Sequence, residues 1–370
     1  MQVPFLDLKA QNQSIWSDLQ SAVEQVAKES AFILGPSVER FEKHFAEWVG
    51  VKHAIGLDNG TSALQLALIA AGVGPGDEVI TTPHSWVSTT WAISYVGAKP
   101  VYVDIDPATY NLDPSKIARA ITPRTKAILP VHLYGQACEL APMLDIAAAK
   151  GLTLIEDSAQ AHGAKYAGKR VGGIGAMGCF SFYPGKNLGA WGEAGALVTN
   201  DDAIAERVKR LRDHAQSGRH NHVEVGFNMR MEGIQGAVLD VKLRHLDAWT
   251  AARQAHAKRY QELLSGTPNV ILPAVPRPEG HVFHLFVVQL RNKDRAEVQR
   301  ALSERGVQSG IHYPTPIPYQ PAYAALGHKP GDFPVADEVM RSCISLPMFA
   351  ELTNEQIEHV ATSLKEVTRS

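Results

Sequence analysis

Cysteine is scarce in this 370-residue chain: Cys138, Cys179 and Cys343 are the three present. Far apart and odd in number, they offer no disulfide framework and no C-x-x-C metal pair. Such usage suggests a reducing, cytoplasmic compartment. No apolar run reaches the roughly 18–20 residues that a bilayer span needs, so no membrane partner is expected. The N-terminal stretch MQVPFLDLKAQNQSIW lacks the charged-then-apolar pattern of a signal peptide. Neither sign of charge dominates. The net charge is −2, which gives no reason to expect nucleic acid or a membrane surface, so any bound anion must be held by a local site. There is no internal repeat and no low-complexity tract. What remains, 45% hydrophobic and 20% charged residues, is the composition of an ordinary globular protein. The length suggests two domains, or one large domain with an appendage.

From His53 to Asn200, short β-branched runs alternate with helical stretches. HAIGLDN, DEVITTP, KPVYVDI, TKAILPVH, LTLIEDS and GALVTN read as strands. TSALQLALIAAG, SWVSTTWAISYVG and ELAPMLDIAAAKG read as helices between them. This alternation predicts βαβ units around a mostly parallel sheet flanked by helices, with the site at the carboxyl ends of the strands. After Asn200 the pattern changes. A helix capped by Asp201 is followed by a long helical stretch broken once. VFHLFVVQL and VQSGIHY then read as strands, KDRAEVQRALSERG and TNEQIEHVATSLKEV as helices. The expected division is a large α/β domain over 1–250, including the N-terminal helices, and a smaller α+β domain over 251–370.

Two motifs lead away from the chemistry. Gly173, Gly175 and Gly178 spell G-x-G-x-x-G, but the strand-like CFSFY follows where a dinucleotide site needs a helix. The run is read as a turn entering a strand. HNH at His220–His222 has no carboxylate cluster beside it, and no metal site is assigned.

A third constellation points elsewhere. Gly60-Thr61-Ser62 lies between a strand and a helix, where free amides and the helix dipole favour an anion. Asp157 ends a strand, with Gln160 about one turn on, and Ser181 and Lys186 follow in SFYPGKNLG. A lysine amine, a carboxylate for a pyridine nitrogen, hydroxyls and amides for a phosphate, and an aromatic face are what pyridoxal 5'-phosphate (PLP) requires. Trp86 supplies the aromatic face.

The chain resembles the DegT/DnrJ/EryC1/StrS family of PLP-dependent nucleotide-sugar aminotransferases. The likeness runs nearly end to end, through GLDNGTSALQLAL, LPVHLYGQ, LIEDSAQAHGA, FSFYPGKNLGAWGEAGA, HNHVEVGFNMRM and GIHYPTPIPYQPAY. The resemblance implies a fold-type-I aminotransferase, with catalytic Lys186 as the Schiff-base lysine and catalytic Asp157 on the ring nitrogen. It implies Gln160 near the ring oxygen and Trp86 on the ring face. Gly60, Thr61, Ser62 and Ser181 would form the phosphate cup. Asn228, in GFNMRM, would be lent to the neighbouring subunit's phosphate, which implies a homodimer with shared active sites.

The resemblance also implies ping-pong transamination, with L-glutamate converted to 2-oxoglutarate and a nucleotide-linked keto-sugar as acceptor. SFYPGKNLG, HYP, QPAY and GDFPVA resemble the branch that aminates C3 of dTDP-3-keto-6-deoxyhexoses. Tyr183 and His312 are then expected to contact the hexose, and Arg219 the diphosphate. The alternatives are a UDP-linked 3-keto-hexuronate substrate, amination at C4, or a non-catalytic regulator that kept the fold.

Overall fold

The computed structural model describes residues 1–277 and 280–369. Its centre is a seven-stranded sheet built from β1 (His53–Leu57), β2 (Glu78–Thr81), β3 (Lys99–Tyr102), β4 (Thr125–Ile128) and β5 (Thr153–Asp157). After a small hairpin, β6 (Lys165–Tyr166) and β7 (Lys169–Arg170), it is completed by β8 (Met177–Ser181) and β9 (Gly195–Thr199). The strand order is β1-β9-β8-β5-β4-β2-β3. All neighbours are parallel except the two pairings of β9.

Helices cover both faces, so strand residues of either parity are apolar. Ile55, Leu57, Val79, Ala127, Ile155, Met177, Cys179 and Leu197 join one core with the helix Gly60–Ala70. Their alternate neighbours point the other way, Ile80, Ile128 and Leu154 into one cluster and Phe180, Ala196 and Val198 into another. The second of these is closed by Phe41 and Phe45 of the helix Pro36–Val49. That helix starts with a proline and ends at Gly50, whose φ of 90° suits a residue without Cβ.

The second core surrounds a three-stranded antiparallel sheet, β10 (Val270–Ile271), β11 (Phe286–Leu290) and β12 (Cys343–Leu346). The helices Leu246–Leu264, Arg295–Glu304 and Asn354–Arg369 pack around it. The expected boundary at residue 250 falls inside the continuous helix Leu246–Leu264, and Val3 near the N-terminus adds its side chain to this second core. The long helical stretch breaks once, as predicted, between Gly233–Leu243 and Leu246–Leu264. VQSGIHY is not a strand. Val307 forms a single bridge with Val3, and Gly310 one with Ser345 on the outer edge of β12, so the segment touches the sheet without building a ladder. Among the described residues, no helix is long and apolar enough to cross a membrane.

Candidate active site

The carboxyl ends of β1, β5 and β8 open into one cavity of about 950 Å³. Gly60, Thr61, Ser62, Trp86, Asp157, Gln160, Ser181, Tyr183, Lys186 and His312 all line it. Adjacency of β8 and β5 brings Ser181 and Lys186 beside Asp157. β9, antiparallel between β1 and β8, leaves the start of the helix Gly60–Ala70 facing Ser181. Here the backbone approach requires glycine: a Cβ at Gly60 would lie 2.6 Å from the Ser181 Cβ. The cap of this helix is Asn59, which accepts from the Ser62 amide at 2.9 Å. Capping therefore does not occupy the hydroxyls of Thr61 and Ser62, and Thr61 Oγ1 donates to Ser88 Oγ at 2.9 Å.

Asp157 is buried. Its Oδ2 accepts from Thr89 Oγ1 at 2.8 Å and its Oδ1 from the Ala159 amide at 3.2 Å. Burial still pushes its carboxyl above the usual range, against the pull of the Thr89 bond and of Lys186. Lys186 shifts the opposite way. Loss of water around its ammonium pulls it down to about 8, with Asp157 opposing. An anion that lacks a full counter-charge and an amine that readily loses its proton thus face one cavity. Together with the glycine-tight helix start, these donors fit PLP: a cation acceptor, an amine and an anion cradle.

Gln160 is held at both ends, Oε1 accepting from the Tyr134 amide at 2.7 Å and Nε2 donating to Tyr313 Oη at 3.0 Å. Tyr313 approaches Trp86 with 5.7 Å between ring centres. His312 stacks on Phe5 at 5.6 Å and pairs through Nδ1 with Ser345 Oγ at 2.8 Å. Burial, helped by the charge on Lys186, pulls His312 down to about 4, so it is a neutral imidazole. Asn228 and Arg219 lie outside the cavity of their own chain. Both are exposed, and Asn228 Oδ1 accepts from Arg230 Nε at 3.0 Å.

The glycine-rich turn has its own explanation. Glu156, buried beside Asp157 in sequence, accepts from the amides of Gly172, Ile174 and Gly175 at 2.7, 2.8 and 2.6 Å. Its Oε2 also meets His132 Nε2 at 3.0 Å. His132 Nδ1 accepts from the Cys138 amide, so Nε2 carries the proton and donates to Glu156. The turn cradles a carboxylate of the chain itself. His222, of the HNH run, sets Nδ1 against the His214 carbonyl at 2.8 Å.

Sequence reasoning missed Thr89, Tyr313, His284 and Arg253, which also line the cavity. Tyr313 follows His312 directly, and Thr89 stands one turn after Trp86; those spacings were the available signals. Nothing local marks Arg253, whose guanidinium donates to the carbonyls of Phe283, His284 and Met348.

The sequence profile of the DegT/DnrJ/EryC1/StrS aminotransferase family matches residues 13–365. A "pleiotropic regulatory protein" of Geobacillus stearothermophilus is 43% identical, covering 100% of this chain and 99% of its own. The dTDP-3-amino-3,4,6-trideoxy-alpha-D-glucose transaminase of Streptomyces venezuelae is 41% identical, over 98% and 96%. The UDP-2-acetamido-2-deoxy-3-oxo-D-glucuronate aminotransferase of Pseudomonas aeruginosa is 40% identical, over 98% and 99%. Among solved structures, S. venezuelae DesV in complex with a ketimine intermediate superposes with a TM-score of 0.97 at 40% identity, covering 100% of this chain and 99% of that one. Bacillus subtilis NtdA with bound cofactor PMP gives 0.93 at 31% identity, covering 100% and 86%.

Proposed function

Because the chain belongs to the DegT/DnrJ/EryC1/StrS aminotransferase family, whose members are PLP-dependent sugar aminotransferases, we propose that it moves an amino group from L-glutamate to C3 of a nucleotide-linked keto-sugar. The observation that carries this reading is the meeting of Lys186 and Asp157 in one cavity with the start of the helix Gly60–Ala70. Gly60, Thr61, Ser62 and Ser181 would hold the cofactor's phosphate, Asp157 its ring nitrogen, Gln160 its ring oxygen and Trp86 its face. When bound, PLP supplies the electron sink that lets a C–H proton leave and nitrogen change carriers.

Lys186 contributes an amine that, at about 8, takes a proton at Nζ and returns it near neutral pH. Asp157 remains an acceptor, its two oxygens oriented by Thr89 and Ala159. Gln160, fixed by Tyr134 and Tyr313, holds its amide still. Tyr183 and neutral His312 would meet the hexose, and Arg219 the diphosphate. Asn228, exposed on its own chain, would complete the phosphate cup of a second copy, making a homodimer with shared sites.

The Streptomyces relative supports a dTDP-3-keto-6-deoxyhexose as the substrate. The similar identity of the Pseudomonas relative favours, as a second reading, a UDP-linked 3-keto-hexuronate. The test is product analysis with PLP, L-glutamate and each of three acceptors: the dTDP-linked 3-keto-6-deoxyhexoses, the UDP-linked 3-keto-hexuronate and a dTDP-linked 4-keto-sugar. A 3-amino product with release of 2-oxoglutarate is expected. Amination of the 4-keto-sugar alone would overturn the C3 assignment. No 2-oxoglutarate from glutamate would overturn the donor, and inertness toward every acceptor would leave the regulator reading.

A further inference from the structure

His284 lines the Lys186 cavity from the side of the second core, just ahead of β11, and the proposed reaction gives it no part. Its Nδ1 lies 3.2 Å from Oδ1 of Asn187, the residue after Lys186. Asn187 is buried, and its Nδ2 donates to the Val282 carbonyl at 3.2 Å. A carbonyl only accepts, so the amide nitrogen must face Val282 and the amide oxygen must face the ring. Nδ1 of His284 therefore carries the proton and donates to Asn187. The lone pair of the neutral ring is left on Nε2. The backbone is fixed as well, since the His284 carbonyl accepts from the Arg253 guanidinium at 3.4 Å.

The ring stays neutral. Loss of water around it pulls the imidazole well below its ordinary value, and Lys186, Arg253, His312 and His162, the titratable groups around it, all act in the same direction. Among the described residues, Nε2 of His284 has no hydrogen-bond partner, and neither has Nζ of Lys186. An imidazole that resists charging is a poor base and a good acceptor. It orders an N–H without removing the proton.

We propose that His284 accepts a hydrogen bond at Nε2 from the Lys186 ammonium whenever that amine is not joined to the cofactor, with Asn187 fixing the ring's tautomer. The inference rests on the reading of Lys186 as the lysine that carries PLP. The proton stays on Nζ, and the ring keeps the freed amine where it can return that proton.

Two replacements separate the two ring nitrogens. His284→Asn keeps a donor for Asn187 and has nothing at the Nε2 position, whereas His284→Gln brings an amide oxygen to that position. The first measurement is the pH dependence of PLP capture by the full-length apoprotein, scored by hydride trapping at Lys186. A neutral acceptor favours the charged amine, so His284→Asn should lower the midpoint by about one pH unit, a ten-fold change in proton affinity. His284→Gln should restore most of the wild-type midpoint. The glutamate half-reaction should slow roughly ten-fold in His284→Asn, with KM for glutamate near the wild-type value. An unmoved or raised midpoint in His284→Asn, with normal fixation at Lys186, overturns the inference and leaves the PLP reading standing. An unmoved midpoint joined to a raised KM for the keto-sugar also overturns it, giving the ring to the acceptor. Nitrogen-15 NMR of the wild-type protein, labelled at histidine, needs no variant: His284 should remain neutral and protonated at Nδ1 down to about pH 5. A ring protonated at Nε2 overturns the assignment. Wild-type protein that fixes no cofactor at Lys186 at any pH overturns the PLP reading itself, and the inference with it.

Discussion

Lys186 gives the sharpest quantitative prediction. Burial pulls its ammonium down to about 8, although Asp157 pulls the other way. At pH 7 a lysine at that value is neutral in about a tenth of molecules, against about three in ten thousand at the ordinary value, a gain of roughly 300-fold. The neutral amine is the form that captures an aldehyde. The assay is therefore reconstitution of the apoprotein with PLP, sampled from about pH 6 to about pH 10. Hydride trapping measures the fraction of cofactor fixed to Lys186. The capture rate should rise with a midpoint near 8. Asp157→Asn removes the anion that favours the charged lysine, so the midpoint should fall further. A midpoint near 10, or a rise in Asp157→Asn, would refute the electrostatic account. The sign for stability follows from the same shift. Between about 8 and the unfolded value, the native state binds fewer protons than the unfolded one. The lysine's penalty on the apoprotein is thus full below about 8 and fades as pH climbs towards the unfolded value.

Thr89→Val removes the hydroxyl that donates to Asp157 Oδ2, a bond to a charged group worth about 1.5–3 kcal/mol. PLP binding should weaken ten-fold or more and recover in Thr89→Ser; an unaltered affinity in the valine variant argues against Thr89 as a positioning residue. Glu156→Gln turns an acceptor of three backbone amides and of His132 into a group that presents N–H to N–H. A loss on the order of 3 kcal/mol is expected, read as a lower melting temperature, and an unshifted melt contradicts the cradle. Gly60→Ala puts a methyl 2.6 Å from Ser181 Cβ, so one of the two elements must move. Weaker PLP binding, at a cost of about 1–3 kcal/mol by equilibrium titration, is expected, while tight binding would show that the cup adjusts freely. Lys186→Ala should abolish both hydride fixation and turnover, and residual turnover removes the lysine from the chemistry.

The alternation of strands and helices was legible because each short apolar run is bounded by turn residues and covered on both faces. Helix caps were legible where the signal is local: Asp201 accepts from the amides of Ala203 and Ile204, as its position implied. The start of the helix Gly60–Ala70 was only half read. Its anion-favouring amides were expected, and the structure adds the capping side chain, Asn59, which accepts from the Ser62 amide. The strand expected over VQSGIHY is reduced to single bridges, Val307 to Val3 and Gly310 to Ser345, a tertiary outcome that β propensity does not reveal.

By itself the sequence determined the chemical inventory: one lysine and one carboxylate in the right order, a glycine-hydroxyl helix start between them and the N-terminus, and a period that forces a mostly parallel sheet. These follow from residue type and from spacings of a few residues. The partners of the inventory were decided only by tertiary structure. Thr89 meets Asp157 across 68 residues, and Gln160 meets Tyr313 across 153. The G-x-G-x-x-G run, together with Gly172 just before it, proved to be a cradle for Glu156 once the chain had folded back on it. The reason is physical. Periodicity and capping are set within one turn of chain, whereas burial, and with it the lowered lysine and the raised aspartate, exists only after distant segments have excluded water together.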